Sequence, residues 1–199
     1  MAKSKRIIQL ISRLNFLEKN ILPNQRLDGN YTKKEQDLIR SFVLLSHAEI
    51  ESYLEDIAKE KISKSLNDWN NNRKKSHCIK SVVSFVGNEI SFENDSNSKN
   101  LQYRVNKIVS HYLRAVIDRN HGVKEKNILD LLLPIGIEWA DLDTAWLATM
   151  DSFGTIRGAI AHSSFKVQST IDRNTELDRI KNQILPELLM LDAKIKAKS

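Results

Sequence analysis

The chain of 199 residues contains one cysteine, three prolines and six glycines. A lone Cys78 excludes an internal disulfide and any cysteine-built zinc cluster, and it fits a reducing compartment, so the expected location is cytoplasmic. With so little glycine and proline, the turn signals that a many-stranded sheet needs are missing, and 28% charged residues point instead to an all-α bundle. Long apolar runs are also missing. Met1-Ala2-Lys3-Ser4-Lys5-Arg6 begins like a signal peptide, but Gln9, Ser12 and Arg13 interrupt the next apolar run, and nothing later approaches a membrane span. A soluble protein with no membrane partner is therefore expected. The sequence has no glycine-rich phosphate loop, no His-x3-His pair with a third ligand, no Gly-x-Ser-x-Gly elbow and no dense acidic cluster of the kind that holds magnesium, so neither metal nor cofactor is expected. The length fits a single domain over residues 1–199. A net charge of +6 suits a phosphate-bearing partner, although proteins that never touch nucleic acid carry as much.

Helical periodicity, by contrast, is abundant. Ile7, Leu10, Ile11, Leu14 and Leu17 predict a first helix from about Lys3 to Leu22, closed by Pro23 and Asp28-Gly29. Thr32-Lys33-Lys34-Glu35 reads as a capping box opening the longest helix, to about Leu66, with Ile39, Phe42, Val43, Ile50, Tyr53, Leu54 and Ile57 on its apolar face. A third helix is predicted from Asn67 or Asp68 to Glu89. Residues 93–100 lack apolar periodicity and read as a loop, the best candidate for disorder. Leu101 to Ile117 predicts a helix stopped near Gly122, and Arg104, Lys107, His111 and Arg114 recur along one flank. That flank could track a phosphate backbone or simply be solvated, and no aromatic interleaves it to stack a base. A short helix over Lys124–Leu133 ends at Pro134 and Gly136. Asp141 or Asp143 then caps a helix running to His162, and Ser163 to Gln168 breaks the pattern. A last helix from about Thr170 contains Pro186, which predicts a kink.

The helix ending at His162 is the unusual one. At about 100° per residue, Trp146, Met150, Phe153 and Ile160 form one stripe, and Arg157 falls inside it. Arginine is almost never buried unpaired, because desolvating its charge costs several kcal/mol, so this face should border a cleft or an interface. Gly154, Gly158 and Ala161 form an adjacent strip of small side chains that another helix could approach, with Arg157 on one flank and His162 near the other. A histidine in a last helical turn feels the negative end of the dipole, which suits it to moving protons.

An arginine, four residues and a histidine near the end of a late helix in an all-helical chain is the signature of the HEPN superfamily, and this sequence resembles it. The stretch Phe42 to Glu55 resembles the second helix of the RiboL-PSP type, with Glu51 at the position of that helix's recurrent glutamate. On the wheel, however, Glu49 lies within the apolar arc between Phe42 and Tyr53 while Glu51 points aside, and the sequence leaves both open as the supporting carboxylate. The resemblance implies a HEPN-like bundle with a four-helix core and additional short helices, pairing as a two-fold homodimer whose Arg-x4-His helices meet in one composite cleft. It also implies metal-independent endoribonuclease chemistry, with Arg157 and His162 as catalytic residues and RNA as the partner. Histidine would take the ribose 2′-hydroxyl proton, and arginine would stabilise the phosphorane, leaving a 2′,3′-cyclic phosphate. A toxin or anti-phage defence setting, with an antitoxin or defence-system partner, belongs to the same expectation. Two departures stand out. Gly158 follows the arginine where catalytic members often carry Asn, Asp or His, which removes a polar group from the cleft. Ser164 stands two positions after the histidine, where members controlled by adenylylation carry tyrosine. The alternatives are a non-catalytic RNA-binding or dimerisation module that keeps the fold, and an adaptor docking a protein on the Arg157 face.

Overall fold

The computed structural model describes residues 3–93, 95–162 and 169–198, and every regular element among them is helical. The elements are α1 (Lys5–Asn20), α2 (Lys33–Asn72), α3 (His77–Val86), α4 (Leu101–His111), α5 (Glu125–Leu132), α6 (Thr144–His162), α7 (Arg173–Asp178) and α8 (Leu185–Ala197). Single 3-10 turns occupy Gly87–Glu89 and Trp139–Asp141, and π turns occupy Tyr112–Ile117 and Arg179–Ile184. The all-α expectation holds. No helix among the described residues is long and apolar enough to cross a membrane.

The caps explain where the helices begin. Thr32 and Glu35 form the predicted box: Glu35 N–H donates to Thr32 Oγ1 at 3.3 Å and Thr32 N–H to Glu35 Oε2 at 2.8 Å. For α6 the choice falls on Asp143, whose Oδ1 accepts from Trp146 N–H at 2.7 Å. Asp141 instead closes the preceding 3-10 turn, accepting from Glu138 N–H. One boundary differs from the sequence reading. Helix α2 runs on through Trp69 to Asn72, and the chain turns at Arg73, which adopts a positive φ of 55°. The next helix therefore starts at His77, capped by Ser76, because that hydroxyl supplies the acceptor for Ile79 N–H. Pro186, where the sequence predicts a kink, lies inside the last helical stretch. A π turn directly precedes it, and such a wider turn accommodates the missing N–H and the ring that would otherwise crowd the carbonyl four residues back.

The chain divides into two compact units. The first comprises residues 1–53, 122–125 and 143–193. Its core is Ile7, Leu10, Leu14 and Leu17 of α1, Ile39, Phe42, Val43, Ile50 and Tyr53 of α2, and Trp146, Leu147, Met150 and Phe153 of α6, with Ile184 and Leu188. Buried Asp192 is satisfied from two sides, by Ser4 N–H at 2.9 Å and by the Tyr53 hydroxyl at 3.4 Å.

The second unit comprises residues 54–121, 126–142 and 194–199. Its core includes Leu54, Ile62, Trp69, Val82, Ile108, Val109, Tyr112, Leu131 and Ile137. Lys61, almost fully buried, donates to the carbonyls of Ile195 and Lys198 and so satisfies a helix C-terminus, while its burial holds the ammonium pKa below the ordinary lysine range. Cys78 is buried and burial pushes its thiol up, which makes it a core side chain and not a nucleophile.

Both caps can be tested by unfolding. Asp143→Ala should cost about 1 kcal/mol of stability, read from denaturant unfolding, by leaving the start of α6 uncapped. The Thr32 hydroxyl, then Thr32 N–H, holds Glu35 below the ordinary glutamate range. The stability this confers is present in full above that range and is lost as pH falls through the depressed value. Glu35→Gln should therefore lower the unfolding midpoint at neutral pH, and the difference should fade in acid.

Candidate active site on helix α6

Helix α6 emerges from the core as it approaches its end. Trp146, Met150 and Phe153 are buried, Arg157 is half-buried, and His162 in the last turn is exposed. Among the described residues neither Arg157 nor His162 has a hydrogen-bond or ion-pair partner. The small strip beside them divides in two. A Cβ on Gly154 would lie 2.8 Å from Cγ of Lys124, so a larger residue there would make that side chain shift. A Cβ on Gly158 would meet nothing within 4 Å among the described residues. None of the described residues fills the surface between Arg157 and His162 at Gly158.

Helix α2 separates the two glutamates. Glu49 pairs with Arg13 of α1 at 3.0 Å, while Glu51 Oε2 lies 3.5 Å from Nδ1 of His47. His47 is 2% exposed and its ring packs on Phe153, with centroids 5.4 Å apart. Glu51 is therefore the carboxylate linked, through His47, to the turn of α6 that precedes Arg157. On the side of α2 where the helical wheel places Glu49, α1 packs and supplies a cation, Arg13. Sequence reasoning also misses His47, which is buried and paired with a carboxylate; a histidine four residues before a glutamate on one helix is the available signal.

The basic flank of α4 has a different environment from the one its spacing suggests. Lys107 Nζ lies 2.9 Å from Oδ2 of Asp95, which also accepts from the Tyr103 hydroxyl at 2.8 Å. The Lys107 ammonium, then the Tyr103 hydroxyl, holds the Asp95 carboxyl below its ordinary range. Arg104 stacks over Phe92 at 4.1 Å, and His111 pairs with Glu89 at 3.0 Å. Two aromatics therefore do stand among these cations, contrary to the sequence reading. They also pin the loop from Asp95 to Asn100 expected to be disordered, whose turns rest on Asp95; Asn94 lies outside the described residues. The α-helical register that aligned Arg114 with the others ends at His111, where the π turn begins, and Arg114 is exposed with no partner among the described residues. Ser164, with the rest of residues 163–168, lies outside the described residues. Among those described, no three His, Cys, Asp or Glu side chains group as they would around a metal ion.

An all-helical chain with Arg157 and His162 five positions apart on its late helix, and with Glu51 of the second helix linked to it, invites comparison with known families. The RiboL-PSP-HEPN family profile matches residues 5–185. The chain belongs to that family of the HEPN superfamily. No curated protein and no solved structure matches the sequence. Membership accounts for the helical fold and points to an RNase or an RNA-related nucleotide-binding module.

The two glutamates should respond differently to substitution. The Arg13–Glu49 pair is partly exposed, so Glu49→Ala should change unfolding free energy by less than about 1 kcal/mol. His47→Ala removes a buried ring against Phe153 and should cost about 2 kcal/mol or more in the same experiment.

Proposed function

We propose that this HEPN protein, acting as one domain over its 199 residues, is a metal-independent endoribonuclease. The observation that carries the reading is the pairing, at the emerging end of α6, of a half-buried arginine and an exposed histidine, neither with a partner among the described residues and with none of those residues filling the space at Gly158. A half-desolvated guanidinium without a carboxylate is suited to an anion, and its planar fork matches phosphate oxygens. One chain supplies one arginine and one histidine. In a two-fold homodimer with the α6 ends apposed, the cleft would hold two of each. One histidine takes the proton of the ribose 2′-hydroxyl as its oxygen attacks the adjacent phosphorus, and the other protonates the departing 5′-oxygen. The arginines stabilise the charge that builds on the phosphorane oxygens. The products are a 2′,3′-cyclic phosphate and a 5′-hydroxyl. Glu51 acts through His47 and Phe153 to hold the turn before Arg157. The family resemblance supplies the setting: a cytoplasmic toxin or anti-phage effector restrained by an antitoxin or defence-system partner.

Arg104, Lys107, His111 and Arg114 are the proposed RNA contacts outside the cleft. Arg114 and the outer face of Arg104 are the groups most available to phosphate or base, because Lys107 and His111 already have acidic partners. Neutralising Arg104 and Arg114 together should flatten the salt dependence of RNA binding by up to about two units of slope. An unchanged slope would return this flank to ordinary solvated surface.

One observation favours a second reading, a non-catalytic RNA-binding or dimerisation module: Gly158 leaves the middle of the site without a polar group. The two readings separate in EDTA with total RNA as substrate. The endoribonuclease reading expects fragments ending in cyclic phosphate from the wild-type protein. His162→Ala should then lose about 10²- to 10⁴-fold in rate with the dimer intact, and Arg157→Lys should recover little of what Arg157→Ala loses. Gly158→Asn, for which there is space, should raise the rate. Cleavage by His162→Ala at the wild-type rate, or by a protein that sediments as a monomer, would defeat the composite-site reading.

A further inference from the structure

Within the second unit, the segment that follows α3 runs back along α4 toward the start of that helix. Glu89 meets His111 at 3.0 Å, Phe92 meets Arg104 and Lys107, and the carbonyl of Ser98 accepts from Arg104 Nη1 at 3.3 Å. This path brings the Phe92 ring against the Arg104 guanidinium, whose central carbon lies 4.1 Å from the ring centroid. Arg104 is exposed nonetheless, and among the described residues no carboxylate pairs with it. Lys107 and His111 face Asp95 and Glu89. Arg104 is therefore the cation of this flank that a ring and a carbonyl hold in place without cancelling its charge.

A guanidinium is a flat, weakly hydrated cation with two faces and a rim of donors. Here Phe92 covers one face and the Ser98 carbonyl takes one rim donor, so the exposure of the residue belongs to the other face and the rest of the rim. A carboxylate approaches a guanidinium through its rim, in a fork, whereas a flat π system lies on its face. An unpaired nucleobase is such a π system, and it brings phosphates on either side that suit an uncancelled charge. We propose that Phe92 and Arg104 form a stacking platform for an unpaired base of single-stranded RNA, with the base on the outer face of Arg104 as a third layer over the Phe92 ring. The plane is held before the strand arrives, so little freedom is lost on binding. A duplex offers no such base, because its faces are covered by their neighbours in the helix. The platform rests on the RNA reading of this protein for its ligand and deepens it by naming the substrate class, a single strand.

The test is fluorescence anisotropy of end-labelled strands with the full chain carrying His162→Ala, so that no strand is cut, in salt high enough to suppress purely ionic contacts. The probes are a short oligoadenylate, the same strand paired with oligouridylate, and an abasic strand of equal length. Oligoadenylate should bind about fivefold or more tightly than either of the others, the scale of one stacked base. Arg104→Lys keeps the charge and loses the plane; it should erase that preference while leaving the salt slope and the unfolding midpoint unchanged. Phe92→Leu keeps an apolar anchor for the segment and loses the ring, and should erase most of the preference. Equal affinity for oligoadenylate and the abasic strand, a preference that survives Arg104→Lys, or tighter binding of the duplex overturns the proposal. So does tighter binding of an oligoglutamate, which would give the rim of Arg104 to an acidic protein segment. Cleavage of RNA in EDTA is read separately. Cleavage without the base preference would sink the platform and leave the ribonuclease reading intact, and the preference without cleavage would do the reverse.

Discussion

The cost of desolvating a guanidinium sets the terms on which α6 can be buried. Arg157 continues the stripe begun by Trp146, Met150 and Phe153, so a helix buried to its end would have drawn an unpaired charge into the core at a cost of several kcal/mol. The fold avoids this by letting the helix leave the core just where the arginine arrives. Everything proposed for the site depends on that emergence. The guanidinium keeps enough contact with the protein to be held and enough exposure to remain charged, and no carboxylate among the described residues occupies it. Its neighbour Gly158 adds no side chain on one side, while Phe153 packs on His47, which Glu51 pairs with, and so steadies the turn beneath.

Much of this was legible because it follows from local rules. The caps at Thr32 and Asp143, the stop at Pro134-Gly136 and the apolar stripe of α6 are one-helix features, set by backbone donors and by a period of 3.6 residues. The Arg-x4-His spacing and its place after several helices could be read for the same reason. What could not be read involves a second segment. Whether Glu49 or Glu51 lies nearer α6 depends on α1 presenting Arg13 to the former, and the α4 flank acquires its acid and aromatic neighbours from the loop at Phe92 and Asp95. Nothing in the spacing of Arg104, Lys107 and His111 distinguishes free cations from paired ones.

The misplaced helix boundary at Asn67 has a local cause that pattern reading weighed wrongly. Asn67 and Asp68 look like caps, but Trp69 and the apolar residues before it keep α2 favourable for another turn and a half. The break comes at Arg73, with a positive φ that its residue type does not announce. Ser76, a better placed cap, then restarts the chain.

The π turn at Arg179–Ile184 bears on how this chain can change length. A turn closed by bonds to the fifth residue holds one residue more than an α turn. The wider turn takes up that residue within one rotation, so the helix beyond it keeps the face it would have in an α-helix one residue shorter. Deleting one residue there would let a plain α turn form and leave Leu188 and Asp192 on the side they now occupy, with Asp192 still toward Ser4 and Tyr53. The strain would fall on Pro186, whose ring would then crowd the carbonyl four residues back. In a purely α-helical part of the same helix a deletion would instead rotate everything after it by about 100° about the axis. The wide turn is in effect a stored residue, a place where the helix can give up a position without turning its far end away from the core.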